Sequence, residues 1–272
     1  MNTLRKIVMP VFGVLAVLAF PVCPAALGGA GPGPAAEGVG PGPAPDGAAR
    51  GAGRGAGGRS ATPDHPRSLA PYFTPATSSP KAPDQDGFLQ RWLLLEPINK
   101  PNRGNTVFTD TYVRDAFKTE YFPNQFTVVP KDGDKVSVAG QDLAWHALDS
   151  SLFNVKLFRF ADGLNKPTYG VIFWAVTVVN SPREMKNVRL AAGSNSASIW
   201  WLNGAETVDL FGDRRMVMDD CISKRLTLKQ GRNVLRGAVI NGPGMSDFCV
   251  RFIDETGAPI KDLTLTLDNT GN

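Results

Sequence analysis

Few side chains in this sequence are of the types that do chemistry, and they offer one candidate catalytic arrangement. There are two histidines, His65 and His146, the latter within "LAWHALD". A serine hydrolase needs a histidine that takes the proton of the attacking serine, so the combination would be His146 as base with Ser150 or Ser246 as nucleophile. No Gly-x-Ser-x-Gly motif surrounds either serine. An ordinary strand histidine is therefore the favoured interpretation of His146.

Metal ligands are equally sparse, and no metal or cofactor is predicted. A site of the usual His or Cys type needs more ligands than these residues supply. Paired carboxylates could hold calcium through loop oxygens or perform acid–base work; they stand at Asp84/Asp86, Asp132/Asp134 and Asp219/Asp220. Asp next to Gly favours turns, and Arg214 and Arg215 follow one another shortly before the last pair. We therefore predict turns for the first two pairs and a structural ion pair for the third.

The stretch "NSASIWWLNGAETV", residues 195–208, is the strongest candidate for binding. In a strand, neighbouring side chains point to opposite faces, so Trp200 and Trp201 face opposite ways. An aromatic ring stacks on the C–H surface of a sugar while Asn, Asp and Arg bond its hydroxyl groups. The candidate ligand-binding residues are Trp200, Asn195, Asn203, Arg214, Arg215, Asn241 and Asp247. The alternative is that both tryptophans are core residues and these loops are only turns.

Which tryptophan is exposed can be predicted from its neighbours. Trp200 shares its face with Ser198, close to the polar "GSNS" loop, whereas Trp201 shares its face with Ile199. We therefore expect Trp200 to be the exposed ring and Trp201 to lie in the core. The Asn203-Gly204 pair predicts a hairpin turn, since both residues tolerate positive φ.

The elements that must position these residues are mostly strands. Short apolar runs alternate with Gly, Asn, Asp and Pro turns, and helical periodicity is nearly absent. The predicted strands include "FLQRWLLLEPI", "QFTVVP", "KVSVAG", "LAWHAL", "FNVKLFRFA", "YGVIFWAVTVVNSP", "NVRLAAG", "SASIWWL", "AETVDLF", "VLRGAVI" and "FCVRFID". One short helix is expected at residues 108–117 with Thr109 or Asp110 as its cap. The fold class is all-β, a two-sheet β-sandwich.

The first quarter of the chain predicts export. Residues 1–25 carry a basic start, an apolar run and small residues near Ala25, as a secretory signal does. Cys23 offers an alternative, a lipid-anchored protein, although Val22 before it fits a lipobox poorly. Residues 26–62 predict a disordered linker: of positions 27–60, thirteen are Gly and five are Pro, which leaves too little apolar surface to offset ordering. Residues 63–272 then form one β-sandwich domain, secreted or periplasmic, and touching a membrane only if Cys23 is lipidated.

Charge and cysteine content narrow the class of partner. The net charge of +4 comes partly from the signal and linker, so no nucleic-acid partner is predicted. Two cysteines remain after export, Cys221 and Cys249. Spacing alone leaves open whether they form a disulfide or remain two buried thiols.

Four segments together carry a resemblance to a known class. They are "WLLLEPI", "YGVIFWAVTVVNSPREMKNVRLAAGSNSASIWWLNGAE", "DRRMVMDD" and "RLTLKQGRNVLRGAVINGPGMSDFCVRFIDETGAPI". Over residues 84–265 the chain resembles a galactose-binding-like, jelly-roll β-sandwich, the accessory domain of bacterial exported proteins labelled acetyl xylan esterase. The resemblance implies a domain that works on or near plant polysaccharide, and it supplies no catalytic residue.

Three functions follow as hypotheses. The first is a non-catalytic module that contacts xylan-like polysaccharide, or a partner protein of a polysaccharide-degrading system, through loops at the hairpin end. The second is an acetyl xylan esterase that uses His146 with Ser150 or Ser246. The third is a purely structural or assembly domain, which two buried tryptophans would favour.

Overall fold

A computed structural model describes residues 67–102 and 104–267. Outside these residues lie the predicted signal peptide, the whole of the predicted linker, Cys23 and His65. Within them, no helix is both long and apolar enough to cross a membrane.

The described residues form fourteen strands, two α-helices and one 3-10 turn. The strands are β1 Phe73–Pro75, β2 Arg91–Leu95, β3 Ile98–Asn99, β4 Lys135–Val138, β5 Gln141–Ser150, β6 Val171–Ser181, β7 Met185–Ser194, β8 Ala197–Leu202, β9 Ala205–Leu210, β10 Cys221–Ile222, β11 Leu226–Leu228, β12 Gly231–Asn241, β13 Phe248–Ile253 and β14 Thr264–Thr266. The helices are α1 Asp110–Lys118 and α2 Leu157–Gly163, and the 3-10 turn is Asn105–Val107. The predicted all-β, two-sheet class is confirmed.

Two antiparallel sheets make up the sandwich. The main sheet has ten strands in the order β1-β5-β2-β6-β12-β8-β9, with β3 and β14 beside β6 and β4 beside β5. The second sheet has four strands, in which β10, β11 and β13 all pair with β7. The long central pair β6 and β12 aligns over the whole of both strands. On its other edge β12 pairs with β8, and this pairing sets the register of the strand that carries the two tryptophans.

The main sheet is covered on both faces, which explains why β6 is almost continuously apolar. We call the face that packs on the second sheet the inner face. It includes Trp92, Phe173 and Trp200 of the main sheet, packed in one core with Leu190 and Val250 of the second sheet. The opposite face, here the outer face, packs on α1 and the segment that follows it.

The outer face has its own core, which runs from β5 across to β8. Trp145, Trp174 and Ile199 of the main sheet lie in this core with Val113 and Phe117 of α1. Further members are Leu93, Leu95, Ile98, Phe108, Phe122, Ile172, Val176, Val178, Ala238 and Ile240. The strands β2, β5, β6, β8 and β12 therefore send residues from their two faces into two different cores.

The predicted helix at residues 108–117 is confirmed as α1. Thr109 caps it, since its side chain accepts a hydrogen bond from the backbone N–H of Tyr112. The apolar side of α1 is buried through Val113, Ala116 and Phe117. Arg114, on another side, ties the helix to the sheet edge at β9.

Two predicted strands are wrong. The segment "QFTVVP" forms turns beside α1, where Val129 and Pro130 bury while Phe126 and Thr127 remain exposed. The segment "FNVKLFRFA" contains α2, because Leu157, Phe160 and Ala161 recur at helical spacing and bury together in the inner core. A short apolar run fits both the helical and the strand period, so packing against the rest of the fold decides which of the two forms.

The structure shows whether Cys221 and Cys249 form a disulfide with each other. Cys249 is a free, buried cysteine, so Cys221 and Cys249 do not form a disulfide with each other. Burial raises the pKa of the Cys249 thiol to about 12, which makes it an unreactive core residue at neutral pH.

Candidate functional site

The double tryptophan lies in a hairpin, as predicted. Asn203 and Gly204 form the turn between β8 and β9 with φ of 52° and 84°, both in the left-handed region that such a turn requires. Trp200 lies opposite Gly237 of β12, and Trp201 lies opposite Arg236. The two indoles therefore point to opposite faces of the main sheet.

The expectation that Trp200 is the exposed ring is wrong. Trp200 is completely buried in the inner core, with ring centroids 4.9 Å from Phe248 and 5.9 Å from Trp92. Its Nε1 donates to Ser198 Oγ at 3.1 Å, and Ser198 Oγ lies 2.8 Å from Ser194 Oγ. Ser198 indicated solvent in the sequence, but it is instead the buried partner that the indole N–H needs.

Space for the Trp200 ring comes from Gly237. A Cβ at this position would lie 2.3 Å from Trp200 Cζ3 and 2.5 Å from Cε3. A glycine here therefore lets the indole lie flat against the β12 backbone.

Trp201 is the partly exposed ring, on the outer face. It stacks on the buried Trp174 with ring centroids 5.8 Å apart and planes at 18°. Trp174 in turn meets Phe126 edge-on at 5.8 Å. Trp201 and Phe126, together with Arg114, Phe117, Lys118, Ile199 and Glu206, line a hollow of about 210 Å³ that we call the small hollow.

A second hollow, the large hollow, adjoins the first at Phe126, which lines both. Its volume is about 550 Å³. The lining residues are Asn124, Phe126, Thr127, Val128, Val129, Asn203, Gly204, Arg232, Val234 and Arg236. The hairpin turn forms one side of it and the segment after α1 forms another. Because Phe126 lines both hollows, we refer to the two together as the groove. Of the predicted ligand-binding residues, Asn203 lines it.

The small hollow borders a network of charged side chains around Arg114. Its guanidinium contacts three carboxylates, with Nη1 2.7 Å from Glu206 Oε1, Nη2 2.5 Å from Asp209 Oδ2 and Nε 2.5 Å from Asp110 Oδ1. Burial lowers the pKa of Arg114, but Glu206 and Asp110 outweigh it and the pKa is raised overall. Burial raises the pKa of Asp209 despite Arg114. The network fixes α1 to β9, and with three carboxylates around one guanidinium it is acidic overall.

The other predicted binding residues meet in loops elsewhere in the sandwich. The backbone N–H of Asn195 donates to Asp247 O at 2.9 Å, and Ser196 Oγ donates to Asn241 Oδ1 at 3.2 Å. Asn241 and Asp247 are buried. The side chains of Asn241 and Asp247 hold these loops together and do not present a polar surface.

Asp247 shows how this cluster is held. Its Oδ2 accepts from Lys156 Nζ at 2.7 Å and from Asn154 Nδ2 at 3.2 Å. Burial raises the pKa of Asp247, although Lys156 opposes the shift. The ion pair anchors the loop before β13 to the start of α2.

The two arginines of "DRRM", Arg214 and Arg215, lie in different environments. Arg214 is buried and donates to Asp220 Oδ2 through Nη2 at 2.6 Å and Nε at 2.9 Å, which confirms the predicted ion pair. Asp219 pairs with Arg251 instead. Arg215 is exposed.

The candidate catalytic residues are not brought together. His146 Nε2 lies 3.3 Å from Glu96 Oε1, while Ser150 Oγ donates to Leu152 O at 2.9 Å and to Asn154 O at 3.2 Å. Ser246 Oγ is buried with no hydrogen-bond partner among the described residues. Neither serine has His146 as a hydrogen-bond partner in this part of the chain, so the proposed nucleophile–base geometry is missing.

Glu96 joins His146 to a cluster of hydrogen bonds between two strands. Glu96 also bonds Lys166 Nζ at 2.8 Å and the backbone N–H of Ala144 at 3.3 Å. Burial alone would raise the pKa of Glu96, but Lys166, Ala144 and His146 together lower it. The cluster holds the end of β2 against β5.

The predicted turns at the paired carboxylates are confirmed. Asp84 Oδ1 accepts from the backbone N–H of Phe88 at 2.8 Å, and Asp134 Oδ2 accepts from that of Lys131 at 2.8 Å. Asp132 Oδ1 accepts from the N–H of Ala147 at 2.7 Å. Among the described residues, no group of three or more His, Cys, Asp or Glu side chains is arranged to hold a metal ion.

Comparison with known proteins gives structural matches with low scores. No protein-family model matches the chain, and no curated protein matches it. Among solved structures, a PA14 sugar-binding domain from an RTX adhesin aligns at TM-score 0.38 and 10% identity, covering 64% of this chain and 95% of that one. The PA14 domain of the antifreeze protein MpAFP aligns at TM-score 0.38 and 8% identity, covering 72% of this chain and 100% of that one.

A β-glucosidase from Kluyveromyces marxianus aligns at TM-score 0.29 and 20% identity, over 43% of this chain and 12% of the enzyme. At these scores the assignment of function rests on the geometry of the site. The resemblance to galactose-binding-like domains of proteins labelled acetyl xylan esterase stays a prediction.

Proposed function

We propose that this protein is a non-catalytic carbohydrate-binding module that holds a glycan in the groove formed by the two hollows. The observation that carries the proposal is Trp201. It is the partly exposed member of a stacked tryptophan pair. The hollow that it lines shares Phe126 with the large hollow, which is lined in part by polar loop residues.

Stacking supplies the apolar part of the interaction. The buried Trp174 supports Trp201 from below and contacts Phe126, so the aromatic surface is held in place before a ligand arrives. A rigid ring loses little entropy when a sugar stacks on it. Phe126, 39% exposed, extends the surface from the small hollow into the large one.

Hydrogen-bonding groups supply the polar part. Asn124, Thr127 and Asn203 are exposed along the large hollow. Amide and hydroxyl groups of this kind orient a ligand by bonding its hydroxyls. A volume of about 550 Å³ suits one or two sugar rings of a longer chain.

The finer parts of the proposal come from the sequence. The resemblance favours plant-type polysaccharide such as xylan, bound alone or beside a partner of a polysaccharide-degrading system. The N-terminal sequence favours a secreted or periplasmic protein joined through a linker, with lipid anchoring at Cys23 as the alternative. Residues 63–272 would be the binding domain.

The test is binding to insoluble xylan and to an array of plant glycans by the purified protein, by Trp201→Ala and by Tyr169→Ala. Tyr169 is a matched control, because it is an exposed aromatic, 53% accessible, and lines neither hollow. We expect Trp201→Ala to weaken binding at least about tenfold and Tyr169→Ala to bind like the wild type. Equal binding by Trp201→Ala, or wild-type protein that binds no glycan, would contradict the proposal.

The esterase hypothesis is tested on the same material. Acetate release from acetylated xylan should be absent from wild-type protein. Release that His146→Ala abolishes would show that the protein is an enzyme and that His146 is its base.

A further inference from the structure

Three arginines are buried among the described residues: Arg91, Arg214 and Arg236. Arg91 meets both carboxylate oxygens of Asp149, at 2.8 and 2.9 Å. Arg214 meets Asp220 at 2.6 Å. Arg236 differs from both, since no carboxylate of the described residues lies within ion-pair distance of it.

Arg236 has few polar contacts of any kind. It is 3% exposed, and its Nη2 donates to the carbonyl oxygen of Val128 at 2.5 Å. Its Nη1 is buried with no hydrogen-bond partner in the described chain. Burial lowers the pKa of this guanidinium to about 10, so it is still charged at neutral pH. A buried charge without a counter-ion is costly, and a fold keeps one chiefly where it has a use.

The position of Arg236 indicates that its buried charge has a role in binding a ligand. It lies on β12 directly opposite Trp201 of β8, so its side chain points to the outer face, and it lines the large hollow. That hollow has a second arginine, Arg232, and no Asp or Glu among its lining residues. In the small hollow, by contrast, Arg114 already has three carboxylates.

We propose that the glycan held in this groove is acidic, and that the large hollow takes the carboxylate of a uronic acid residue with Arg236 as its counter-charge. The inference rests on the proposed function and names its ligand class. A carboxylate accepts two parallel N–H bonds from one guanidinium. An outward shift of the Val128 segment, which now caps the guanidinium, opens Nη1 to the ligand. The neutral part of the same chain then stacks on Phe126 and Trp201.

The experiment compares acidic glycans with copies that lack only the charge. Glucuronoxylan and oligogalacturonate are each paired with their carboxyl-reduced forms, and polyglutamate serves as a non-sugar polyanion. Affinities are measured by calorimetry for wild-type protein, Arg236→Gln and Arg183→Gln. Arg183 is the matched control, because its loss removes the same net charge from a side chain that is 65% exposed and lines neither hollow. Circular dichroism and the Tm of each variant show that it is folded.

We expect the wild type to bind at least one acidic glycan about tenfold or more tightly than its reduced form, and to bind polyglutamate weakly. Arg236→Gln should bind both forms alike, whereas Arg183→Gln should retain the preference. Equal wild-type affinity for acidic and reduced forms would overturn this inference but leave the proposed function intact. Retained preference in Arg236→Gln, or polyglutamate binding as tight as glycan binding, would also overturn it. Absence of binding to every glycan would overturn both proposals.

Discussion

The two faces of the main sheet differ in whether their buried tryptophans have hydrogen-bond partners. On the inner face, the indole N–H groups of Trp92 and Trp200 donate to Leu89 O at 2.7 Å and to Ser198 Oγ at 3.1 Å. On the outer face, the buried Nε1 atoms of Trp145 and Trp174 have no partner among the described residues. The inner face is packed between two sheets, whereas the outer face is covered by one helix and irregular chain.

The buried arginines differ in a second way, which does not follow the two faces. Arg91 and Arg214 have carboxylate partners, while Arg236 has none among the described residues. Unsatisfied buried groups reduce stability and are rare in packed cores. Of the buried polar atoms without a partner among the described residues, Arg236 Nη1 belongs to the lining of the large hollow and Trp174 Nε1 to the ring that stacks on Trp201. We interpret these two as a cost in stability that accompanies binding on the outer face.

The test with the largest expected effect on stability compares the truncation of the two adjacent tryptophans, one on each face. We expect Trp200→Ala to lower the free energy of unfolding by about 3–5 kcal/mol, because it empties space in a closed core. Trp201→Ala, which removes a ring already partly in solvent, should cost about 1–2 kcal/mol. Urea unfolding followed by circular dichroism measures both. Equal losses would show that the two faces are packed alike.

The next test removes one arginine of each kind. Arg214→Met leaves Asp220 without its partner and should cost about 2–4 kcal/mol. Arg236→Met removes a charge that has no partner, so stability should stay within about 1 kcal/mol of the wild type or rise. A loss of several kcal/mol in Arg236→Met would mean that its charge is compensated in the free protein, against our description of the outer face.

A smaller effect is expected at the backbone under Trp200. In Gly237→Ala the new methyl group overlaps the indole, and overpacking of this kind costs about 1–3 kcal/mol. The smaller ring of Trp200→Phe should accommodate part of that methyl group. The double variant should therefore be more stable than the sum of the two single losses predicts. Strict additivity would show that the ring does not lie over Gly237.

The smallest effect concerns acid stability. The lowered pKa of Glu96 means that its ionised form is favoured in the folded state. Its contribution is present above its ordinary pKa of 4.5 and is lost as pH falls through the lower, folded value. Asp209 on the outer side has a raised pKa, so its protonation on acidification stabilises the folded state, which is the opposite effect. In urea titrations at a series of acidic pH values, Glu96→Gln should lose less stability on acidification than the wild type. An acid dependence identical to that of the wild type would contradict this role.

The sequence predicted much of this architecture because its signals were local. The Asn203-Gly204 turn, the cap at Thr109 and the alternation of Trp200 and Trp201 each depend on a few neighbouring residues. The pairing of Arg214 with Asp220 is similarly short in range. These features appear in the structure as expected.

The binding surface could not be predicted, because it depends on what covers each face. Ser198 indicated solvent for Trp200, yet a second sheet buries both and turns the serine into a hydrogen-bond partner. Phe126 was assigned to a strand and Arg236 was not singled out. A charged residue within the otherwise apolar "VLRGAVI" was the one available signal for Arg236, and its lack of a partner is a property of the folded chain alone.

The most direct test of the outer face as the binding site is an NMR titration with glucuronoxylan oligosaccharides, following the five indole N–H signals of the protein. There is one signal for each of the five tryptophans. We predict that the Trp201 signal moves with the amide signals of Phe126 and Asn203, while the Trp200 signal stays still. Movement at Asn195, Asn241 and Asp247 with an unchanged Trp201 signal would contradict the account and place the glycan on the opposite loops.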